Sequence, residues 1–231
     1  HPAELAHILE SLPPKERQQV WNLVDEDLHA DVLSYLHDEV RLSIIEEMTD
    51  DNFLAAAQEM DAEDLAEVLD SLPENVGDAI IEQLEGDHRQ RLEMVRSYED
   101  GSAGRLMSNE VISVRNDITI AVVLRYLRLH PELPTHTDAL MVVDDENRYL
   151  GKLDVANILT AQPETNVIDI MQPDIDKVLA HSSEHDLLIQ FDRRDLISVA
   201  VVDENDFLLG RITIDDVVDL IREEAQHAML K

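Results

Sequence analysis

Val142-Val143-Asp144-Asp145-Glu146-Asn147-Arg148-Tyr149-Leu150-Gly151 returns 59 residues later as Val201-Val202-Asp203-Glu204-Asn205-Asp206-Phe207-Leu208-Leu209-Gly210. In each copy a β-branched run ends in an Asp/Asn-rich turn and a second apolar run returns through a glycine. A helix is expected to begin at Asp154 or Asp215, where an acid suits a helix N-terminus. Leu106-Met107 and Ile170-Met171 open the copies 64 residues apart, so the first copy carries five extra residues, which fall most easily in His130-Pro131-Glu132-Leu133-Pro134. The repeated unit reads strand, helix, strand, strand, helix, over residues 106–163 and 164–217.

Upstream the period changes. Residues 1 to about 96 show apolar positions three and four apart and no strand-like alternation, which predicts helices only. One phrase recurs, as Ala6-His7-Ile8-Leu9-Glu10-Ser11-Leu12-Pro13, Ala30-Asp31-Val32-Leu33-Ser34-Tyr35-Leu36-His37 and Ala66-Glu67-Val68-Leu69-Asp70-Ser71-Leu72-Pro73, at offsets of 24 and 36. Repeats of this kind stack as helical hairpins in a small superhelix. The expected architecture is α+β and multidomain: an all-α superhelical domain with its hinge over 1–105, the two β-α-β-β-α units, and the start of an acidic helix over 218–231.

Fifty-one acidic residues against eighteen basic ones give 231 residues a formal charge of -33. Such a surface repels nucleic-acid phosphates and anionic membranes and favours cations or basic partners. Apolar runs fall far short of the roughly 20 residues needed to span a bilayer. No signal-peptide pattern opens the chain and cysteine is absent, which points to a cytosolic setting. No nucleophile elbow, phosphate loop or Cys-His pair is present, so an enzyme is not expected. His181-Ser182-Ser183-Glu184-His185 matches a zinc-protease pattern only superficially, because a turn separates its histidines.

The duplicated unit resembles the CBS motif, two of which pack as a Bateman module. Its diagnostic ending, Gly-x-x-Thr/Ser-x-x-Asp, is intact as Gly210-Arg211-Ile212-Thr213-Ile214-Asp215-Asp216. In the first copy Asp154 stands in place of the hydroxyl. Tyr98-Glu99-Asp100-Gly101-Ser102-Ala103-Gly104-Arg105-Leu106-Met107 is similar to the hinge phrase that precedes the first CBS motif in MgtE-family magnesium channels. The resemblance implies a cytosolic Mg2+-sensing region, on the cytoplasmic face of the bacterial inner membrane. It implies a homodimer through the CBS modules and a transmembrane pore domain that lies outside this chain. It also implies Mg2+ ligands at Asp31, Glu63 and Glu67 in the helical domain, at Asp195, Asp216 and Asp219 on the CBS side, and at Glu224 on the connecting helix. Ser183, His185, His227 and Ala228 stand where the family usually has acids or an acidic stretch. The alternative it leaves open is an adenine-nucleotide sensor, binding ATP or AMP through Thr213 and Asp216.

Overall fold

The computed structural model describes residues 1–130, 133–173 and 176–229, with side chains followed as far as Ile221. The chain forms two compact units, His1–Ser97 and Tyr98 onward.

The first unit is helical throughout: α1 (Pro2–Ser11), α2 (Pro14–Trp21), a 3-10 turn (Glu26–Leu28) running into α3 (His29–Tyr35), α4 (Asp38–Ile45), α5 (Asp50–Glu59), α6 (Ala62–Ser71), α7 (Glu74–Gln83) and α8 (Gly86–Arg96). These segments begin at residues 2, 14, 26, 38, 50, 62, 74 and 86, twelve apart. One helix and its turn are therefore the repeat, and the phrase offsets of 24 and 36 are multiples of it. Each helix packs on the next but one, α1 on α3, α2 on α4 and so on to α6 on α8, which generates the superhelix. Leu9, Leu33, Ile44, Leu65 and Leu92 are fully buried along its axis.

An arginine recurs within this period. Arg17 Nε donates to Leu9 O at 3.0 Å, Arg41 Nε to Leu33 O at 3.0 Å and Arg89 Nε to Ile81 O at 2.9 Å, in each case eight residues back. A helix ends with carbonyls that lack intrahelical partners. The guanidinium of the following helix satisfies them and locks the turn.

The second unit holds both copies of the sequence repeat. The first is β1 (Ser113–Arg115), α10 (Ile120–Leu129), β2 (Ala139–Val143), β3 (Tyr149–Asp154) and α11 (Val155–Thr160). The second, after the short α12 (Val167–Ile170) and β4 (Gln172–Pro173), is β5 (Lys177–Leu179), α13 (Glu184–Arg194), β6 (Ser198–Val202), β7 (Leu208–Thr213) and α14 (Ile214–Met229). In each copy the first two strands run parallel around a helix and the third returns antiparallel. Nine residues join α10 to β2 where three join α13 to β6, so the first copy's insertion lies in that loop. Pro131 and Glu132 lie outside the described residues.

Identical turns close the two hairpins. Asp144 Oδ1 accepts the backbone N–H of Glu146 and Arg148, and Asp203 Oδ1 those of Asn205 and Phe207, at 2.8 to 2.9 Å. Asn147 and Asp206 take the left-handed conformation, with φ of 63° and 66°, which asparagine and aspartate tolerate better than most residues. The turns also bond to each other, Tyr149 N–H to Asp206 O at 2.8 Å and Leu208 N–H to Asn147 O at 3.2 Å. Behind them Met141, Val143, Tyr149, Ala200, Val202 and Leu208 form one apolar layer between the copies.

The copies also exchange edges. β4 leads into the second copy yet pairs with β3 of the first, and Ser108, which leads into the first, exchanges two 2.9 Å backbone hydrogen bonds with Arg211 on β7 of the second. This crossing explains both signature glycines. A Cβ on Gly151 would stand 2.0 Å from Gln172 O, and one on Gly210 2.5 Å from Ser108 O. The stretch before Ser108 is fixed to the second copy as well. α9 (Ala103–Leu106) donates from Ala103 N–H to Ser182 O and from Gly104 N–H to Ala180 O, at 2.8 and 2.7 Å. Among the described residues no helix is long and apolar enough to cross a membrane.

Gly151→Ala, which sets a methyl against backbone rather than a movable side chain, should destabilise the second unit by about 2 to 3 kcal/mol. A lowered denaturation midpoint for that unit, with the helical unit unchanged, is the expected readout in urea.

Candidate functional site

Within the helical unit the sequence-nominated acids lie on α3 and α6. Asp31 is exposed in the first turn of α3. Glu63 and Glu67 are one turn apart on α6, whose opposite face buries Leu65, Ala66, Val68 and Leu69. The α6 pair is not a simple solvated pair, because Arg41 enters from α4. Its guanidinium is only 3% exposed, donating from Nη2 to Glu67 Oε1 at 2.7 Å and facing Asp38 at 3.4 Å. Glu67 keeps half its side chain in solvent, so one oxygen meets Arg41 while the carboxylate still faces water. A hydrogen bond to a charged partner is stronger than a neutral one, and Arg41 therefore sets the orientation that Glu67 presents.

Beside them is a group that sequence reasoning missed. Asp64 lies between Glu63 and Glu67, and burial pushes its carboxyl up from 3.8 to about 6. A hydrogen bond from Ser34 opposes the shift, the nearby charges of Asp61 and Glu67 add to it, and Arg41 offsets part of it. The available signal was the arginine spaced 24 residues from Arg17, whose buried charge calls for acids around it; nothing in the local sequence distinguishes Asp64 from its exposed neighbours.

On the CBS side Asp195 caps the C-terminus of α13 in the left-handed conformation, φ 50°, with its side chain exposed. Asp216 and Asp219 lie three apart in the first turns of α14. Asp216 Oδ2 accepts the backbone N–H of Thr213 at 2.8 Å and its hydroxyl at 3.1 Å. The diagnostic Thr-x-x-Asp ending thus builds a form of capping box, with the third helical residue reaching back to the cap. Asp215 takes the Thr213 hydroxyl too and pairs with His136 Nδ1 at 2.9 Å. In the first copy Asp154 occupies the corresponding position and accepts from Gln172 Nε2 at 2.5 Å. The side chain of Glu224, like those of His227 and Ala228, lies outside the described residues. Among those described, no three His, Cys, Asp or Glu side chains of the chain converge as a ready metal cage.

The face of β6 and β7 that carries Thr213 holds other polar groups. Ser198 pairs with Thr213 across the ladder and Arg211 with Ala200, so all four share one face, turned toward the layer between the copies. Arg211, 5% exposed, donates to the carbonyls of Thr135 and His136, at 2.5 and 3.3 Å. Its Nε and the hydroxyl of Ser198 are buried without a partner among the described residues. Two-residue alternation along β7 is the sequence signal that places Arg211 beside Thr213.

Comparison with known proteins covers both units. Residues 1–101 match the family model of the MgtE intracellular N domain, and residues 103–164 and 167–223 each match the CBS domain. The chain is 28% identical over 234 residues to the magnesium transporter MgtE of Thermus thermophilus, and 24% identical over 226 residues to that of Bacillus subtilis. These alignments take in 100% and 98% of the chain but 52% and 50% of the relatives, so the chain spans about half their length. Among solved structures it is similar to a cytosolic domain of the Mg2+ channel MgtE crystallised with ATP, with a TM-score of 0.87 at 28% identity, covering 95% of this chain and 90% of that one.

The raised carboxyl of Asp64 has a definite consequence for stability. Its folded pKa, about 6, lies above its unfolded value. The folded state therefore holds the extra proton between about pH 4 and 6, and stability from this group falls as pH rises through that window. The full effect is up to about 3 kcal/mol. Asp64→Asn should remove it, so that urea titrations at pH 4.5 and 7 show the variant gaining on the parent protein toward neutrality.

Proposed function

The chain belongs to the MgtE family, with its N domain joined to a CBS pair, and on that premise we propose that it is the Mg2+-sensing regulatory region of a magnesium channel. In this reading Mg2+ bridges acidic faces of the N domain, the CBS pair and the connecting helix, and favours a compact state that closes the pore. The relatives are named as transporters rather than enzymes, in keeping with a regulatory rather than a catalytic role. The location would be the cytoplasmic face of the membrane.

The observation that carries the proposal is the family match over both units, joined to carboxylates set on solvent-facing helix ends in each. Asp31, Glu63 and Glu67 serve on one side, Asp195, Asp216, Asp219 and Glu224 on the other. Mg2+ prefers oxygen donors in octahedral geometry and retains several waters, so loosely facing carboxylates suit it better than a closed cage. At an effective dielectric near 20, two charges about 4 Å apart repel by roughly 4 kcal/mol. Neutralising a few such pairs supplies the ~5.5 kcal/mol that moves a two-state equilibrium from 1:99 to 99:1. Arg41 and Thr213 tune this chemistry by fixing the directions in which Glu67 and Asp216 point.

A second reading is favoured by the buried, unpartnered Ser198 Oγ and Arg211 Nε beside Thr213, and by the ATP bound to the similar MgtE domain. An adenine nucleotide between the CBS copies would offer hydroxyl and phosphate oxygens to these groups and to Thr213 and Asp216. Association would be as a homodimer through the CBS modules, where α14 exposes Ile214, Val218 and Ile221 at helical spacing.

Small-angle scattering should show a smaller radius of gyration in millimolar Mg2+, and Glu67→Gln, Asp195→Asn and Asp216→Asn combined should abolish the change; an unaltered response in the triple variant rejects the sensor. Calorimetry with ATP, ADP and AMP decides the second reading, in which Thr213→Val weakens binding by about tenfold, the ~1.4 kcal/mol of a lost hydrogen bond. Sedimentation of Val218→Asp against the parent chain tests the dimer, a shift to monomer being expected.

A further inference from the structure

A cavity of about 370 Å3 opens in the helical unit between the start of α3 and one face of α5. Asn52, Ala55, Ala56 and Glu59 line it at successive helical spacings along α5, and Glu26 and Asp27 stand on the opposite rim. No lysine or arginine is among its lining residues. Its floor contains His29, 7% exposed, whose ring stacks on Trp21 with centroids 4.3 Å apart and planes 23° off parallel.

The His29 ring has one nitrogen engaged. Nε2 lies 3.3 Å from Val24 O, and a carbonyl only accepts, so the proton sits on Nε2. Nδ1 in the neutral ring is then an acceptor, and it meets no partner among the described residues. A polar atom on a side chain this buried calls for a donor. Around it the cavity offers further acceptors: the carboxylates of Glu26, Asp27 and Glu59 and the amide oxygens of Asn52 and Gln58. Ala55 and Ala56 add an apolar wall. A ligand that matches has several N–H donors, positive charge and short methylene segments.

We propose that this cavity binds a small aliphatic oligoamine, with one ammonium donating to His29 Nδ1, another lying among the rim carboxylates, and the methylenes against the alanine wall. The volume falls in the range of small-molecule pockets. The site is separate from the residues assigned above to Mg2+. A strongly hydrated metal ion has no use for an alanine wall, whereas an oligoamine combines organic bulk with charge.

The single tryptophan reports on this cavity directly, because Trp21 is the only one in the chain and stacks on the ring that the ligand contacts. Spermidine titrated into the full chain at 150 mM salt, where loose ion condensation is screened, should change Trp21 emission in a saturable one-to-one manner. Ala55→Phe, which fills the exposed mouth without changing charge, should abolish the response, and Glu59→Gln should weaken binding by up to about fivefold. Mg2+ at the same charge concentration should leave the emission unchanged. The proposal is overturned if spermidine has no effect on Trp21, if the response survives in both variants, or if Mg2+ reproduces it.

Discussion

A chain with a formal charge of -33 must fold so that its acids face water or meet one of few cations, and this constraint shapes both units. The helical unit uses its arginines sparingly and internally. Arg17, Arg41 and Arg89 close helix turns by bonding carbonyls eight residues back, and Arg41 extends the same guanidinium to Glu67. A buried guanidinium is tolerated only when its donors are satisfied; here backbone carbonyls satisfy most of them. Carboxylates elsewhere on the helices are thereby left exposed and poorly compensated, the electrostatic condition that a bridging-cation sensor requires.

The CBS unit meets the constraint differently. Its acids serve as local caps: Asp144 and Asp203 close hairpin turns, and Asp216 holds the Thr213 end of β7. Between the copies the layer is apolar, but at the Thr213 end it turns polar, with Ser198 and Arg211 buried and incompletely bonded. The two copies are tied by edge exchange as well as by that layer, so a shift at one signature glycine is felt by the segment leading into the other copy. The same exchange fastens α9 to the second copy.

Much of this was legible in the chain. The duplicated Val-Val-Asp phrase, with its glycine and turn residues, gave the strand order because alternation and turn chemistry act over ten residues. The repeated Leu-Pro and Leu-His phrases gave the superhelix, although their offsets of 24 and 36 concealed the twelve-residue period that the helix starts reveal. The nominated acids fall on helix ends, as their sequence contexts implied. Asp64 was not distinguished, since its burial depends on Ser34 and Arg41, both on other helices. The cavity floored by His29 was equally invisible, because it arises where α5 presents two alanines to the start of α3.

By itself the sequence determined the local chemistry: where helices and strands begin, which residues turn, how the charge is signed, and that one unit occurs twice. These follow from interactions among residues close in the chain. Tertiary structure alone decided which carboxylate shares an arginine, which is buried enough to hold its proton toward neutrality, and which polar atoms are left without a partner. Each of those depends on distance and exclusion of water between segments remote in sequence. Desolvation and Coulomb energy are functions of position in space, and no reading along the chain contains them.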